Sequence, residues 1–327
     1  MSIASTGVLQ IPKTMKAEVI DRFGPPEEVI HTAMVPVPEL GDDEVLIDVR
    51  TAGVGVWDPE LCKGEFGAEA GLPRVLGSDG SGTVIAKGSK AERFEIGDRV
   101  YAFGLMNPKG GFYAEYAAVS EGEVSKVPET VSLDEAGVLA VDGLTALDGL
   151  ERVRLERDQT ILIHGASGGC GHLAVELAKR IGARVFAVAS GSDGVELARR
   201  VGGDEAIDGH DADIGAKARA FAPNGFDAAL ILAGDGADEM LALVHEGGRA
   251  AYPNGVAPLP HAPDGVTVES YDGYHGRDAL DRLDRWLAMG PFYVEVSRTY
   301  TLEETPKALA DVTRHHLGKL AVRVHGS

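Results

Sequence analysis

The fold is decided by one stretch, Thr160-Ile-Leu-Ile-His-Gly-Ala-Ser-Gly-Gly-Cys-Gly171, and by the run Leu173-Ala-Val-Glu-Leu-Ala-Lys-Arg180 that follows it. An apolar run, a cluster of small residues and an amphipathic run predict, in that order, a β-strand, a tight turn and an α-helix. Such a turn presents the first N–H groups of the helix to an anion, as dinucleotide binding requires. Gly168 and Gly171, with Ala166 in the first glycine position, therefore predict a pyrophosphate-binding turn. Its predicted contact residues are Gly165, Ala166, Ser167, Gly168, Gly169, Cys170 and Gly171.

The composition is typical of a two-domain protein that acts on small molecules. The chain has 327 residues, which is long for a single core, and a net charge of −20, which disfavours nucleic acids and anionic membranes as partners. Two cysteines, Cys62 and Cys170, are too few for a disulfide framework or a cysteine-rich zinc site. No apolar run has membrane-spanning length, and residues 1–14 lack the features of a secretory signal. We expect a small-molecule substrate and a cytoplasmic location.

The pattern of predicted elements changes near Pro128. Before it, short β-type runs alternate with Gly/Pro-rich turns, which predicts a small, mainly antiparallel barrel. After it, strands and helices alternate, which predicts a parallel sheet covered on both faces. A helix over 278–289, a capping box at Thr301–Glu304 and a last strand over 319–324 complete the chain, and we expect this tail to return to the first domain. The predicted domain limits are 1–127, 128–292 and 293–327.

Several different motifs follow one another in a fixed order along nearly the whole chain. They are Met15-Lys16-Ala17, Val75-Leu76-Gly77-Ser78-Asp79-Gly80-Ser81-Gly82, Phe94-Glu95-Ile96-Gly97-Asp98-Arg99-Val100, Gly143-Leu144-Thr145-Ala146 and His164-Gly165-Ala166-Ser167-Gly168-Gly169. With these motifs the chain resembles the medium-chain dehydrogenase/reductase superfamily, and within it the zinc-free quinone oxidoreductases of the zeta-crystallin-like branch. The resemblance implies an α/β fold: a Rossmann doubly wound parallel sheet for the nucleotide, plus a GroES-like, mainly antiparallel β-barrel domain for the substrate.

The positions that hold catalytic zinc in the alcohol dehydrogenases of this superfamily carry other residue types here. By alignment of the motifs they are Gly55, Ser78 and Asp142, where those enzymes have two cysteines and a histidine. None of the three supplies a thiolate or an imidazole. The segment between Tyr101 and Tyr113 also contains no cysteine for a structural zinc. The resemblance therefore implies chemistry without a metal ion.

Without a metal ion, the resemblance implies hydride transfer from a nicotinamide to a quinone or an α,β-unsaturated carbonyl, acceptors that need little polarisation. It places Thr145 beside the nicotinamide, although a helix N-cap is an alternative role for this residue. It also places two segments on the far side of the nicotinamide ring, Leu232–Gly234 and Tyr252–Gly255. The predicted cofactor contacts outside the turn are Thr145, Leu232, Ala233, Gly234, Tyr252 and Pro253.

The end of the second nucleotide-domain strand decides between the two nicotinamide cofactors. Enzymes that use NADH place a carboxylate there, which accepts hydrogen bonds from the ribose and repels a 2′-phosphate. This chain has Ala189 and then Ser190 and Ser192, so NADPH is expected with these serines as donors, while Asp193 keeps NADH as an alternative. The lysine and tyrosine usual in this branch align with Gly194 and Gly209. Residues that could replace them are Arg199, Arg200, His210 and Lys319.

The substrate pocket is predicted from aromatic residues. The resemblance places Trp57 and Phe66 on one wall and His275 on the other, and flat rings suit a quinone or enone, although core packing is an alternative. If a side chain delivers the proton, the candidates are Asp58, Tyr271, Tyr274 and His275, with water as the alternative. The predicted catalytic set is Asp58, Thr145, Tyr271 and Tyr274.

Two alternatives to a quinone or enone reductase stay open. One is an alcohol/aldehyde oxidoreductase of the same superfamily, which the missing zinc ligands disfavour. The other is a non-catalytic NADPH-binding redox sensor or structural protein. The loss of an Asn near Gly55 and of a Tyr at Phe66 that relatives often carry favours it, while the intact glycine turn and Thr145 argue against it. A homodimer is expected from the resemblance and from the apolar last strand of the nucleotide domain.

Overall fold

The structure, a computed structural model, describes residues 11–65 and 71–325. Phe66, predicted to line the substrate pocket, lies outside these ranges. The first half of the chain is rich in strands: β1 (Thr14–Ile20), β2 (Ile30–Pro36), β3 (Glu44–Val54), β4 (Arg74–Val75), β5 (Asp79–Lys87), β6 (Arg99–Phe103), β7 (Tyr116–Ser120) and β8 (Val124–Lys126). Two short helices interrupt them, α1 (Pro26–Val29) and α2 (Asp58–Lys63).

The longest strand, β3, organises this domain. It pairs with β5 on one edge and with β7 on the other, both antiparallel. Alternate residues Val45, Ile47 and Val49 are fully buried, because one face of the strand packs on the core of the barrel. A smaller sheet of β2, β1 and β4 lies beside it. The mainly antiparallel first domain is confirmed.

The second half alternates helices and strands as predicted. Its helices are α3 (Leu133–Ala136), α4 (Ala140–Arg152), α5 (Gly169–Ile181), α6 (Gly191–Arg200), α7 (Ile214–Phe221), α8 (Ala237–Leu241) and α9 (Arg277–Leu287). Its strands are β9 (Thr160–His164), β10 (Arg184–Ala189), β11 (Glu205–Asp208), β12 (Phe226–Ile231), β13 (Val244–Pro253) and β14 (Thr267–Tyr271). They form one parallel sheet in the order β11-β10-β9-β12-β13-β14. This is the doubly wound Rossmann order, and its strand order reverses between β9 and β12, where a ligand crevice is expected.

The end of the chain forms β15 (Val296–Thr301), α10 (Thr305–Asp311) and β16 (Lys319–Arg323). β16 pairs antiparallel with β3, with Leu320 opposite Val54, so the tail joins the sheet of the first domain. The predicted capping box is present, with Thr301 and Glu304 bonding reciprocally to each other's backbone N–H. Among the described residues, no helix has the length and apolar character needed to cross a membrane.

The structure differs from the sequence-based expectations at three places. Thr145 lies inside α4, five residues after the helix begins at Ala140, which rules out the alternative role of an N-cap. The helix predicted from Gly194 begins at Gly191, where a φ of +74° turns the chain out of β10. The strand β2 has no counterpart in the sequence analysis, because its half-exposed residues give little hydrophobic pattern.

Candidate nucleotide and substrate cleft

The glycine-rich turn between β9 and α5 has the geometry of an anion cradle. Gly165 has a φ of +82°, and the N–H of Gly168 donates to its carbonyl at 3.1 Å, which closes the turn. A Cβ on Gly171 would lie 2.0 Å from that same carbonyl oxygen, so only glycine lets the helix pack this closely. No described side chain caps α5, which leaves its first N–H groups for a ligand. The turn therefore fits a dinucleotide pyrophosphate.

Ser167 fixes the elements around this turn rather than projecting from it. Its hydroxyl accepts the N–H of Ser190 at 3.2 Å, and its carbonyl accepts the N–H of Gly318 at 2.8 Å. These two bonds join the turn to the start of α6 and to the segment before β16. The buried Ser167 side chain therefore positions the turn, and the predicted contact of this residue with the cofactor stays a prediction.

The segments predicted to line the nicotinamide follow two neighbouring strands at the same sheet edge. Leu232, Ala233 and Gly234 come directly after β12, and the N–H of Leu232 donates to His164 at the end of β9. Tyr252 and Pro253 end β13. Carboxyl ends of parallel strands meet at one edge, so the structure brings these residues beside the glycine turn.

Thr145 is half-buried on α4, and the loop after β14 lies directly over it. A Cβ on Gly273 would lie 2.8 Å from the Thr145 hydroxyl oxygen. The Tyr271 hydroxyl donates to the carbonyl of Thr145 at 2.9 Å. Burial raises the pKa of Tyr271 well above its ordinary value. Tyr271 therefore fixes the position of Thr145. Because the Tyr271 hydroxyl proton is engaged in this bond, it is not available to a substrate, which the prediction of Tyr271 as a catalytic residue required.

Tyr274 and His275 fasten the same loop to its surroundings. The Tyr274 ring lies between the guanidinium groups of Arg152 and Arg282, 4.9 Å and 5.6 Å from its centroid. His275 stacks on Phe103 of the first domain with ring centroids 4.8 Å apart, and its Nδ1 lies 2.8 Å from Glu123. The contacts of His275 join the two domains, which gives this residue a packing role at the predicted pocket.

The three positions that hold zinc in the alcohol dehydrogenases contact neighbouring side chains in this structure. A Cβ on Gly55 would lie 2.3 Å from the Trp57 ring, so the indole covers this position. The Ser78 hydroxyl accepts from Trp57 Nε1 at 2.7 Å and donates to Asp58 at 3.2 Å. Asp142 lies 3.5 Å from the Lys319 ammonium. This donor set does not fit a catalytic zinc ion.

Lys319 lies at the centre of a buried cluster of charged side chains where the two domains meet. Its Nζ lies 2.9 Å and 3.2 Å from the two carboxylate oxygens of Asp79, besides its contact with Asp142. Burial by itself lowers the pKa of Lys319, but the fields of Asp142 and Asp79 outweigh burial and hold it above the ordinary value. Asp142 also lies against Gly169 of the glycine turn. The Lys319 ammonium group is therefore engaged in buried ion pairs with these two carboxylates. The prediction that Lys319 binds a 2′-phosphate is wrong.

Asp58 lies beneath the cleft and is fully buried. Its carboxylate accepts three hydrogen bonds, from the N–H of Gly55 at 2.9 Å, the Ser78 hydroxyl and the Tyr113 hydroxyl at 2.5 Å. Burial raises its pKa to about 6, against the opposing effect of the Tyr113 and Gly55 hydrogen bonds. Through Ser78 it orients Trp57, so the geometry favours positioning of the pocket wall over contact with substrate.

The residues suggested for the 2′-phosphate lie in different places. Arg199 and Arg200 are at the far end of α6 from Ser190 and Ser192, where they donate to the Ala206 carbonyl and the Tyr293 hydroxyl. His210 lies at the end of β11, with Nδ1 2.8 Å from Asp208. Sequence reasoning missed His315, whose Nε2 lies 3.1 Å from Asp193 at the start of α6. No local pattern signals this contact, since 122 residues separate the partners.

Comparison with known proteins agrees with this architecture. Residues 41–129 match the family described as alcohol dehydrogenase GroES-like domain, and residues 169–259 match the family described as zinc-binding dehydrogenase. The NADPH-dependent alkenal/one oxidoreductase, chloroplastic, of Arabidopsis thaliana is 30% identical over 97% of this chain and 81% of its own length. The 2-methylene-furan-3-one reductase of Solanum lycopersicum is 32% identical over 94% of this chain and 80% of its own length.

The fold comparison agrees as well. A solved structure of the quinone oxidoreductase from Coxiella burnetii superposes with a TM-score of 0.82 at 28% identity, and the match covers 96% of this chain and 100% of that one. The matches therefore extend over both domains of this chain. The chain belongs to the medium-chain dehydrogenase/reductase superfamily, in its quinone oxidoreductase branch.

Proposed function

We propose that this protein is a zinc-independent oxidoreductase that uses NADPH to reduce a quinone or an α,β-unsaturated carbonyl. One observation carries the proposal: the cleft combines an intact dinucleotide turn with zinc positions that are closed by Trp57, Ser78 and the Lys319–Asp142 pair. Relatives along the whole chain are named as NADPH-dependent alkenal/one oxidoreductase and 2-methylene-furan-3-one reductase, which supports the acceptor class and the cofactor.

A bound reduced nicotinamide supplies the hydride, and the protein supplies binding and orientation. The N–H groups at the start of α5 bind the pyrophosphate, and Thr145, held by Tyr271, lies on the predicted nicotinamide face. Trp57, fixed by Ser78, forms an apolar wall against which a flat acceptor can stack. Water is the proposed proton donor, because the Asp58 carboxylate and the Tyr271 hydroxyl are buried in other hydrogen bonds. His275 is paired with Glu123, and the exposed Tyr274 hydroxyl is the side-chain alternative to water.

The test follows NADPH oxidation by its absorbance in the presence of a metal chelator. The acceptor panel contains an ortho-quinone, a para-quinone, an enal and a simple aldehyde. We expect turnover with a quinone or the enal, unchanged by the chelator, and none with the aldehyde. Turnover that is confined to the aldehyde would instead support the alcohol/aldehyde alternative. Tight NADPH binding without any turnover would support the sensor or structural alternative.

A variant of the glycine turn provides the control. Gly171→Val would place side-chain atoms against the Gly165 carbonyl, where even a Cβ comes within 2.0 Å. We expect loss of NADPH binding and of turnover together, while Gly122→Ala in the first domain, where an added Cβ would meet only the Ser120 hydroxyl oxygen at 3.8 Å, leaves both unchanged.

We further propose that the protein is a homodimer with a cytoplasmic location. Size-exclusion chromatography with light scattering would test the homodimer.

A further inference from the structure

His172 is a buried titratable side chain that the proposed mechanism does not use. It is the fourth residue of α5 and is 1% exposed. Its Nδ1 lies 2.8 Å from the carbonyl oxygen of Gly168 in the glycine turn, and its Nε2 accepts the backbone N–H of Glu295 at 3.1 Å. One ring nitrogen therefore bonds to the nucleotide domain, and the other bonds to the segment that leads into β15.

These two bonds require one particular form of the imidazole. A carbonyl oxygen only accepts, so Nδ1 carries a hydrogen, and a backbone N–H only donates, so Nε2 carries none. Burial lowers the pKa of His172 to about 4, against the opposing effect of its bond to the Gly168 carbonyl. At neutral pH the ring is therefore uncharged, with a donor on one side and an acceptor on the other.

The Nδ1–H group acts on the glycine turn. The Gly168 carbonyl also accepts the backbone N–H of His172 at 3.1 Å, so the ring supplies a second donor to the same oxygen. A peptide group is planar and trans, so its C=O and N–H point in opposite directions. Fixing the Gly168 carbonyl along α5 therefore fixes the N–H of Gly169 in the direction of the cleft, where the pyrophosphate is proposed to bind.

The Nε2 atom acts on the tail, beside a second side chain of the same helix. Glu176, one turn further along α5, accepts the N–H of Tyr293 at 3.0 Å. Four residues of helix advance about 6 Å, close to the span of two residues of extended chain, so alternate N–H groups of the tail meet successive turns of α5. The Glu295 carbonyl in turn accepts the N–H of Lys319, the first residue of β16, at 3.0 Å.

The strand β16 carries this connection into the substrate domain. Its Leu320 lies opposite Val54, the last residue of β3. Trp57 of the proposed pocket wall follows shortly after Val54 in the chain. His172 and Glu295 therefore lie on a short path of hydrogen bonds and strand pairing that joins the glycine turn to the pocket wall.

We propose that His172 is a positioning residue for hydride transfer, which holds the glycine turn through Nδ1 and the tail through Nε2 and so fixes the bound nucleotide relative to the substrate domain. This inference rests on the proposed use of NADPH. The bond to Gly168 determines how tightly the nucleotide binds. The bond to Glu295 determines how the bound nucleotide faces the acceptor.

Two substitutions remove one bond at a time. In His172→Gln the side-chain oxygen takes the place of Nε2 and accepts from Glu295, but Gly168 loses its second donor. In His172→Asn the side-chain NH₂ takes the place of Nδ1 and donates to Gly168, but Glu295 loses its acceptor. Nicotinamide fluorescence gives the dissociation constant for NADPH, and kcat is measured at saturating NADPH with the acceptor that the wild type reduces.

We expect a crossed result. His172→Gln raises the NADPH dissociation constant about five- to tenfold, the effect of one hydrogen bond, and leaves kcat within about twofold of the wild type. His172→Asn leaves the dissociation constant within about twofold and lowers kcat about fivefold or more. Parallel changes of both quantities in the two variants, or no change in either, would refute the role of His172. If only one variant folds, its own expected result decides.

The matched control is Glu176→Ala, which removes the neighbouring bond to the tail while Gly168 keeps both donors. We expect its NADPH dissociation constant to equal that of the wild type. A rise as large as that of His172→Gln would show that loosening the tail is sufficient, and would overturn the separate action of Nδ1.

NMR spectroscopy gives a readout that does not depend on activity. Long-range ¹H–¹⁵N spectra of histidine-labelled protein resolve the protonated ring nitrogen, and the signals of His172 are those missing from His172→Gln. We expect protonation at Nδ1 at neutral pH, with and without NADPH. Protonation at Nε2 would refute the proposal, because that nitrogen could no longer accept from Glu295.

The outcomes separate this inference from the proposed function. If the wild type binds NADPH and reduces an acceptor but the crossed result is absent, the role of His172 is refuted and the reductase proposal stands. If the wild type binds no NADPH, or binds it without turnover, both proposals fail. The crossed result together with an Nδ1-protonated ring supports the inference.

Discussion

Among single residues, Asp58 shows how a buried side chain can determine the shape of the cleft through the residues it is hydrogen-bonded to. Its carboxylate receives hydrogen bonds from a backbone N–H and two hydroxyls, and one of these hydroxyls, on Ser78, fixes the Trp57 indole. The group is fully buried and its pKa is about 6, which means that it exchanges a proton near neutral pH. The wall of the pocket thus depends on a titrating residue beneath it.

The first prediction concerns stability. The folded protein holds the Asp58 proton up to about pH 6, whereas the ordinary pKa is 3.8, so the favourable contribution is complete below about pH 4 and is lost as the pH rises through 6. Asp58→Asn removes this dependence. We expect the free energy of unfolding of the wild type, relative to the variant, to fall by about 3 kcal/mol between pH 4 and pH 7. Urea unfolding of both proteins across this range measures it, and a constant difference would contradict it.

The same variant tests the function of the residue. An amide at position 58 has fewer acceptor positions for three donors, so Trp57 loses its fixed orientation. We expect turnover to fall at least several-fold while the dissociation constant for NADPH changes little, because the glycine turn is untouched. Steady-state kinetics and nucleotide titration on the same preparation separate the two quantities. Unchanged turnover would show that the pocket wall does not need Asp58.

Among the structural elements, α4 and β14 are held together at the nicotinamide face. Tyr271 at the end of β14 donates to the Thr145 carbonyl in the middle of α4. A carbonyl in a helix has a second lone pair, so this bond adds to the helical bond without replacing it. The position of Thr145 therefore depends on the last strand of the sheet as well as on its own helix.

The second prediction removes this bond. Tyr271→Phe deletes one hydroxyl and retains the buried ring, so we expect a loss of about 1 kcal/mol in the free energy of unfolding. We also expect a larger proportional loss of kcat than of NADPH affinity, since Thr145 is freed to shift. Tyr300→Phe is the matched control, because it also removes the hydroxyl of a buried tyrosine, which donates to Asp311 at 2.8 Å and makes no hydrogen bond to Thr145 among the described residues. Equal effects of the two substitutions would argue against the positioning of Thr145.

The sequence predicted those strands, helices and turns that are encoded by short runs of neighbouring residues. The strand over 184–189 and the glycine turn follow from short runs of apolar and small residues, and the structure has them at those positions. The start of α4 escaped prediction because Leu139 offers no capping side chain. The partners of Lys319 and His315 escaped for a different reason: Asp79 is 240 residues away from Lys319, and Asp193 is 122 residues from His315. Such pairings depend on topology, which residue spacing does not contain.

For the whole molecule, the Lys319 cluster joins three parts of the chain. The lysine belongs to β16, Asp79 begins β5 of the barrel, and Asp142 lies on α4 of the nucleotide domain. Burial raises the pKa of Asp79 while the Lys319 charge opposes that rise. One ammonium group therefore compensates carboxylates from both domains at their junction.

The third prediction removes this charge. Lys319→Met leaves Asp79 and Asp142 buried without their cation, and we expect a loss of about 3 to 5 kcal/mol in the free energy of unfolding at neutral pH. The loss should shrink at acidic pH, where the carboxylates take up protons. Denaturant unfolding at both pH values measures this, with the exposed Lys307→Met as a control that should change little.

A double variant keeps the test informative if the single variant does not fold. Asp79→Asn combined with Lys319→Met removes one carboxylate and its partner together. We expect the double variant to be more stable than Lys319→Met alone, since fewer buried charges are left without compensation. If the double variant is instead no more stable than the single one, Lys319 contributes through packing rather than charge.

The pairing of β16 with β3 also sets an order of events during synthesis. β3 leaves the ribosome before the nucleotide domain, and its antiparallel neighbour β16 follows that domain in the chain. The nucleotide domain lies between them as one continuous stretch, so its parallel sheet can assemble while β3 still has an open edge. An unpaired strand edge is a site for association with other chains. Until β16 is made, the end of β3 from Thr51 to Val54 therefore has one edge open, to which a strand of another chain can pair.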